Sequence, residues 1–122
     1  MIILDELRVE MVGYRKEMTE LADVLNIKAA EERVAQLGEE TAQEGFWDDL
    51  ENSQNVLKEQ KSLERKIEKY KKLNDSLEDL ITLIELSIEE DDESSIDEIK
   101  EEADAFKQKL EDEKLATLLT GE

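Results

Sequence analysis

The feature that most constrains this chain is an apolar seam near its start. Over residues 3–25, apolar side chains recur at alternating steps of three and four residues. This spacing puts them on one face of an α-helix, in the pattern by which helices pack side by side. The seam consists of Leu4, Leu7, Met11, Tyr14, Met18, Leu21 and Leu25. The sequence contains no proline, which would interrupt such a helix.

Two more helices are predicted by the same period. Asn26 is expected to cap a second helix, which fades between Gly38 and Gly45. A long seam then runs to Ile88, and Asp48 or Asp49 is expected to cap this third helix, placing carboxylates at its electropositive start. At about 40 residues and about 1.5 Å per residue, it would be roughly 60 Å long.

The stretch EEDDESS contains no apolar side chain and predicts a turn. Ser95 and Glu98 have the spacing of a capping box and open a fourth helix, which is expected to end at Thr120 and Gly121. The predicted fold class is all-α. We expect one elongated helical domain over residues 1–122, with about four helices. The third and fourth should form a long antiparallel coiled-coil hairpin, and the first two should pack near its base.

The charge balance bears on partners and on location. There are 16 Lys and Arg against 35 Asp and Glu, which gives a net charge of −19. Phosphate binding needs clustered Lys and Arg, so we expect no direct nucleic-acid grip in this segment, and basic proteins as partners. No stretch resembles a signal peptide or approaches the roughly 20 apolar residues of a membrane span. The expected location is the cytoplasm, with no membrane partner.

The residue inventory argues against an enzyme. The chain has no histidine and no cysteine, which removes the usual acid–base, nucleophilic and zinc chemistry. We therefore expect no catalytic residue, no metal site and no cofactor. An acidic tip lies between the third and fourth helices, and it is either a solvated turn or a surface that meets a basic partner. It consists of Glu89, Glu90, Asp91, Asp92 and Glu93.

The stretch QEGFWDDLENSQ places Phe46 next to Trp47, the only tryptophan, in a break between helices. One interpretation is a structural plug, in which both rings fill the corner between the second and third helices. The other is a patch that binds a partner. Large aromatic side chains usually lie inside proteins, so the plug is favoured.

The same region resembles the N-terminal domain of bacterial peptide chain release factors of type 2. The resemblance rests on EGFWDDLENSQNVLKEQKSLE, with IKAAEERVAQL before it and SLEDLITLIELSIEEDDE and LATLLTGE after it. Family members often carry prolines beside the Phe-Trp pair, and this chain has none. The Gly-Gly-Gln and Ser-Pro-Phe tripeptides that the family uses for peptide release and stop-codon reading are also absent from the sequence.

The resemblance implies a non-catalytic module of a translation termination factor, without the codon-reading and Gly-Gly-Gln domains. It implies contact with the stalk-base protein region of the large ribosomal subunit, and a response to the class II release factor GTPase. A free-standing acidic coiled-coil adaptor would explain the heptads equally well, but not the ordered family segments.

Overall fold

The computed structural model describes residues 1–120, and helices dominate that range. The four helices are α1 (Ile2–Val24), α2 (Ile27–Thr41), α3 (Leu50–Glu89) and α4 (Ile96–Thr120), with a short 3-10 helix at Phe46–Asp48. No strand occurs in the described residues, so the all-α prediction is confirmed. The long third helix has 40 residues, as its seam predicted. The predicted helix end at Gly121 lies outside the described residues.

The chain divides into two compact units. The first comprises residues 1–21 and the chain from residue 72 onward, and the second comprises residues 22–71. The expectation of one domain over residues 1–122 stays a prediction.

In the first unit, α1 packs with the end of α3 and with α4. The buried positions of α1 fall on the predicted seam, and the Tyr14 ring meets Phe106 of α4 edge-on, with ring centroids 5.5 Å apart. The largest fully buried side chains of this unit are Leu4, Met11, Met18, Leu77, Ile81, Ile84, Ile99 and Leu110. The core is therefore mostly aliphatic, in keeping with an aromatic content of only 4%.

Ion pairs between helices show the relative directions of the three helices in this unit. Arg8 and Arg15 of α1 pair with Glu85 and Glu78 of α3, so α1 and α3 run antiparallel. The matching pairs to α4 are Glu10 with Lys107 and Glu17 with Lys114, so α1 and α4 run parallel. It follows that α3 and α4 are antiparallel, which confirms the predicted hairpin.

The position expected for α1 is wrong. We expected the first two helices near the base of the hairpin, yet Arg8 contacts Glu85, about one turn before α3 ends at Glu89. The buried residues of α1 run from Leu4 to Leu21, so the helix buries its seam over most of its length rather than at one end.

In the second unit, α2 packs against the first half of α3. Leu37, Phe46 and Val56 form its buried cluster, with Leu63 packed against them. Arg33 of α2 forms a two-bond ion pair with Glu59 of α3, with Nε–Oε2 and Nη2–Oε1 distances of 2.8 and 3.0 Å.

Asn26 does not cap α2 in the expected way. It occupies the N-cap position, but its backbone is left-handed with φ of 55° and its side chain makes no capping hydrogen bond. Asparagine tolerates this conformation better than most residues. Asn26 therefore interrupts the helix between α1 and α2 through its backbone conformation rather than through a side-chain cap.

Candidate functional site

The corner between α2 and α3 is a tight, hydrogen-bonded turn. Gly45 has φ of 81°, a region that glycine enters without strain. The Phe46 amide donates to the carbonyl of Gln43 at 3.2 Å, and the Asp48 amide donates to the carbonyl of Gly45 at 3.1 Å. These bonds hold the 3-10 helix that carries the two adjacent aromatic residues.

Phe46 and Trp47 differ in burial at the corner. Phe46 is 7% exposed and packs with Leu37 and Val56, whereas Trp47 is 62% exposed. The rings meet edge to face, with centroids 4.8 Å apart. Successive side chains of a 3-10 helix point about 120° apart, so only one of two neighbours can face the core. The two-ring plug is therefore wrong for Trp47, while the plug role of Phe46 stays a prediction.

The start of α3 continues the corner. Of the two predicted caps, Asp49 is the one used, because its Oδ1 accepts the Asn52 amide at 3.1 Å. Leu50, the first residue of α3, is 67% exposed. The surface next to Trp47 in the chain is thus partly apolar, on a backbone fixed by a cap.

The charged side chains at the corner are all negative. Residues 34–57 contain six carboxylates and neither Lys nor Arg. These are Glu39, Glu40, Glu44, Asp48, Asp49 and Glu51. All six are exposed. The corner therefore presents an aromatic ring in a strongly negative surrounding.

The acidic tip is an ordered turn in which all five predicted residues are exposed. Asp91 has φ of 53°. The Asp92 amide donates to the carbonyl of Ser87 at 2.9 Å, and the Asp91 amide donates to the carbonyl of Ile88 at 3.1 Å. This is the Schellman arrangement that closes a helix, with Asp91 where glycine is usual.

Asp92 also orders the exit from the tip. Hydrogen bonds from the Ser94 side chain and backbone lower the pKa of the Asp92 carboxyl, and the Ser94 amide lies 2.9 Å from Asp92 Oδ1. The tip thus has a defined shape. Its role as a surface that meets a partner stays a prediction.

Within residues 1–120, no group of three or more His, Cys, Asp or Glu side chains is placed to hold a metal ion. A groove of about 470 Å³ runs between α3 and α4, with Leu80, Leu83 and Phe106 among its lining residues. Among the described residues 1–120, no helix is both long and apolar enough to cross a membrane.

Sequence reasoning missed the interhelical ion pairs. Arg8 and Arg15 lie seven residues apart beside the α1 seam, and Glu78 and Glu85 lie seven apart on α3. The same spacing separates the members of the pairs to α4. Charges that repeat with the heptad next to an apolar seam could have predicted which helices are neighbours.

Comparison with known proteins places the chain in a family. The PCRF domain model matches residues 30–122, which include the corner, the acidic tip and all of α3. The chain belongs to the PCRF domain family. Together with the relatives named below, the match confirms the predicted resemblance to the N-terminal domain of type 2 release factors.

Two relatives of this PCRF-domain chain share one name. It is 34% identical over 108 residues to "Peptide chain release factor 2" of Clostridium perfringens strain SM101, covering 88% of this chain and 29% of that protein. It is 29% identical over 118 residues to the protein of that name from Staphylococcus saprophyticus, covering 97% of this chain and 32% of the relative. The chain thus spans less than a third of the curated relatives it matches.

Proposed function

We propose that this chain is a ribosome-binding, non-catalytic module of a translation termination factor, which directs stop-codon-dependent peptide release. The observation that carries the proposal is the PCRF domain match over residues 30–122, together with relatives named peptide chain release factor 2. A free-standing adaptor is not favoured, because it does not account for that match.

The finer part of the proposal concerns partners. We propose the stalk-base protein region of the large subunit as the contact, and the class II release factor GTPase as a second partner. The net charge of −19 supports a protein contact, because many ribosomal proteins are basic while ribosomal RNA repels an acidic surface.

A termination assay tests the function. Ribosomes stalled at a stop codon with labelled peptidyl-tRNA receive limiting C. perfringens release factor 2 and increasing amounts of this chain. We expect the chain alone to release no peptide, and an excess of it to slow release by occupying part of the ribosomal site. An unrelated helical protein of similar net charge is the control. Release that is equally fast with and without saturating chain contradicts the proposal.

A further inference from the structure

Trp47 is an exposed aromatic residue on a fixed support. Its neighbour Phe46 is anchored among Leu37 and Val56, and the turn before it is closed by backbone hydrogen bonds. Binding of a partner at Trp47 therefore costs little entropy, because the backbone of this chain is already ordered there. Tryptophan is also among the residue types that contribute most to protein interfaces.

The exposed surface around Trp47 is not explained by the stability of the unit. At 62% exposure, most of the indole does not contribute to the buried cluster, and Leu50 is exposed at 67%. We define the Trp47 surface as Trp47, Leu50 and the carboxylates Glu44, Asp48, Asp49 and Glu51.

The charge of this surface selects the kind of partner. Four carboxylates lie within four residues of Trp47, and residues 34–57 carry no basic side chain. Base stacking on the indole would bring RNA phosphates toward these carboxylates, which disfavours RNA. A second copy would bring the same negative surface, in a chain of net charge −19.

An Arg- or Lys-rich protein surface fits both features. A guanidinium or ammonium over the face of a tryptophan is attracted by the ring, and tryptophan is the best aromatic residue for this contact. The apolar stem of the same side chain can cover the indole and Leu50, while its charge lies near carboxylates. Acidic groups around the ring also speed the encounter with a basic surface.

We propose that the Trp47 surface is the docking site for a basic protein of the large ribosomal subunit, with an Arg or Lys side chain packed on the indole. The proposal rests on the proposed function and deepens it by naming the contact residues. It differs from the expectation that the acidic tip carries the contact.

The test compares binding of labelled variants to large ribosomal subunits by co-sedimentation. Trp47→Ser removes the ring, and the double variant Asp48→Asn/Glu51→Gln removes two charges without touching the Asp49 cap. Val9→Ser is the matched control, because Val9 is an apolar residue that is 71% exposed on α1. We expect at least tenfold weaker binding for Trp47→Ser, a smaller loss for the double variant and no change for Val9→Ser.

A second readout uses Trp47 as the only tryptophan of the chain. Binding of large subunits should shield its fluorescence from the neutral quencher acrylamide, whereas protein-free ribosomal RNA should not. Full binding by Trp47→Ser overturns the docking site and leaves the proposed function standing. Shielding by protein-free RNA overturns the partner class. A wild-type chain that does not bind large subunits contradicts the proposed function as well.

Discussion

Phe46 and Trp47 are consecutive aromatic residues, yet only Phe46 reaches the core of residues 22–71. A sequence pattern shows that large apolar side chains are present, but it does not show which way each one points in a short turn. The 3-10 geometry after Gly45 decides this, and that geometry depends on the packing of α2 against α3. For this reason the aromatic pair could be singled out from the sequence while the separate positions of its two rings could not.

This difference gives the first prediction. Phe46→Ala should lower the free energy of unfolding by about 3–5 kcal/mol, because it leaves a cavity among Leu37 and Val56. Trp47→Ala should cost about 1 kcal/mol or less, since the ring is mostly exposed. Urea denaturation followed by far-ultraviolet circular dichroism measures both. Equal losses for the two variants would show that the assignment of core and surface is mistaken.

The backbone conformation of Asp91 gives a second prediction. Its left-handed backbone, with φ of 53°, strains any side chain, whereas glycine adopts it freely. Asp91→Gly should therefore raise the free energy of unfolding by about 0.5–1 kcal/mol. Glu89→Gly is the control, because it removes the same charge from the last residue of α3. It should destabilise by about 0.5–1 kcal/mol. Thermal melts in which both variants shift in the same direction would contradict the turn geometry.

Helices were the easiest elements to predict. The α1 seam and the length of α3 follow from apolar periodicity, because a helix buries the same face turn after turn. The packing of α1 along the hairpin did not follow, since periodicity shows which face is buried and not what covers it. The seven-residue repeat of Arg8 and Arg15 carries that information, because it matches the repeat of Glu85 and Glu78.

The pair between Arg15 and Glu78 makes a prediction about pH. Two hydrogen bonds from Arg15, at 2.7 and 2.9 Å, lower the pKa of the Glu78 carboxyl. A folded pKa below the unfolded value means that the pair stabilises the fold above the ordinary Glu pKa of about 4.3, and that this stabilisation is lost as the pH falls through the lowered value. Because both side chains are partly exposed, the gain is less than about 1 kcal/mol.

Glu78→Gln should therefore be less stable than the wild type near neutral pH and equally stable in acid. Asp79→Asn is the control for the loss of one negative charge from the same turn of α3. Urea midpoints measured across the acid range make the comparison. A stability difference between Glu78→Gln and the wild type that persists well below the ordinary pKa would rule out the ion pair as its cause.

The chain combines a mostly aliphatic set of buried side chains with a net charge of −19. The lack of histidine and cysteine in the sequence argued against catalysis by those side chains. The ordered family segments indicated the family that the PCRF match then showed. Composition could not indicate where a partner binds, because carboxylates occur along most of the chain. The exposed indole of Trp47 distinguishes one acidic surface from the others, and it is visible only once the corner is folded.

An exchange experiment tests whether this chain works as a module of a release factor. In C. perfringens release factor 2, the segment aligned with this chain over 108 residues is replaced by the chain itself. Stop-codon-dependent peptide release is then measured on purified ribosomes, with circular dichroism as the control for folding. The hybrid should release peptide at stop codons at a rate within about tenfold of the parent factor, a barrier change of about 1.4 kcal/mol. A folded hybrid that cannot bind ribosomes or release peptide would contradict the proposed function.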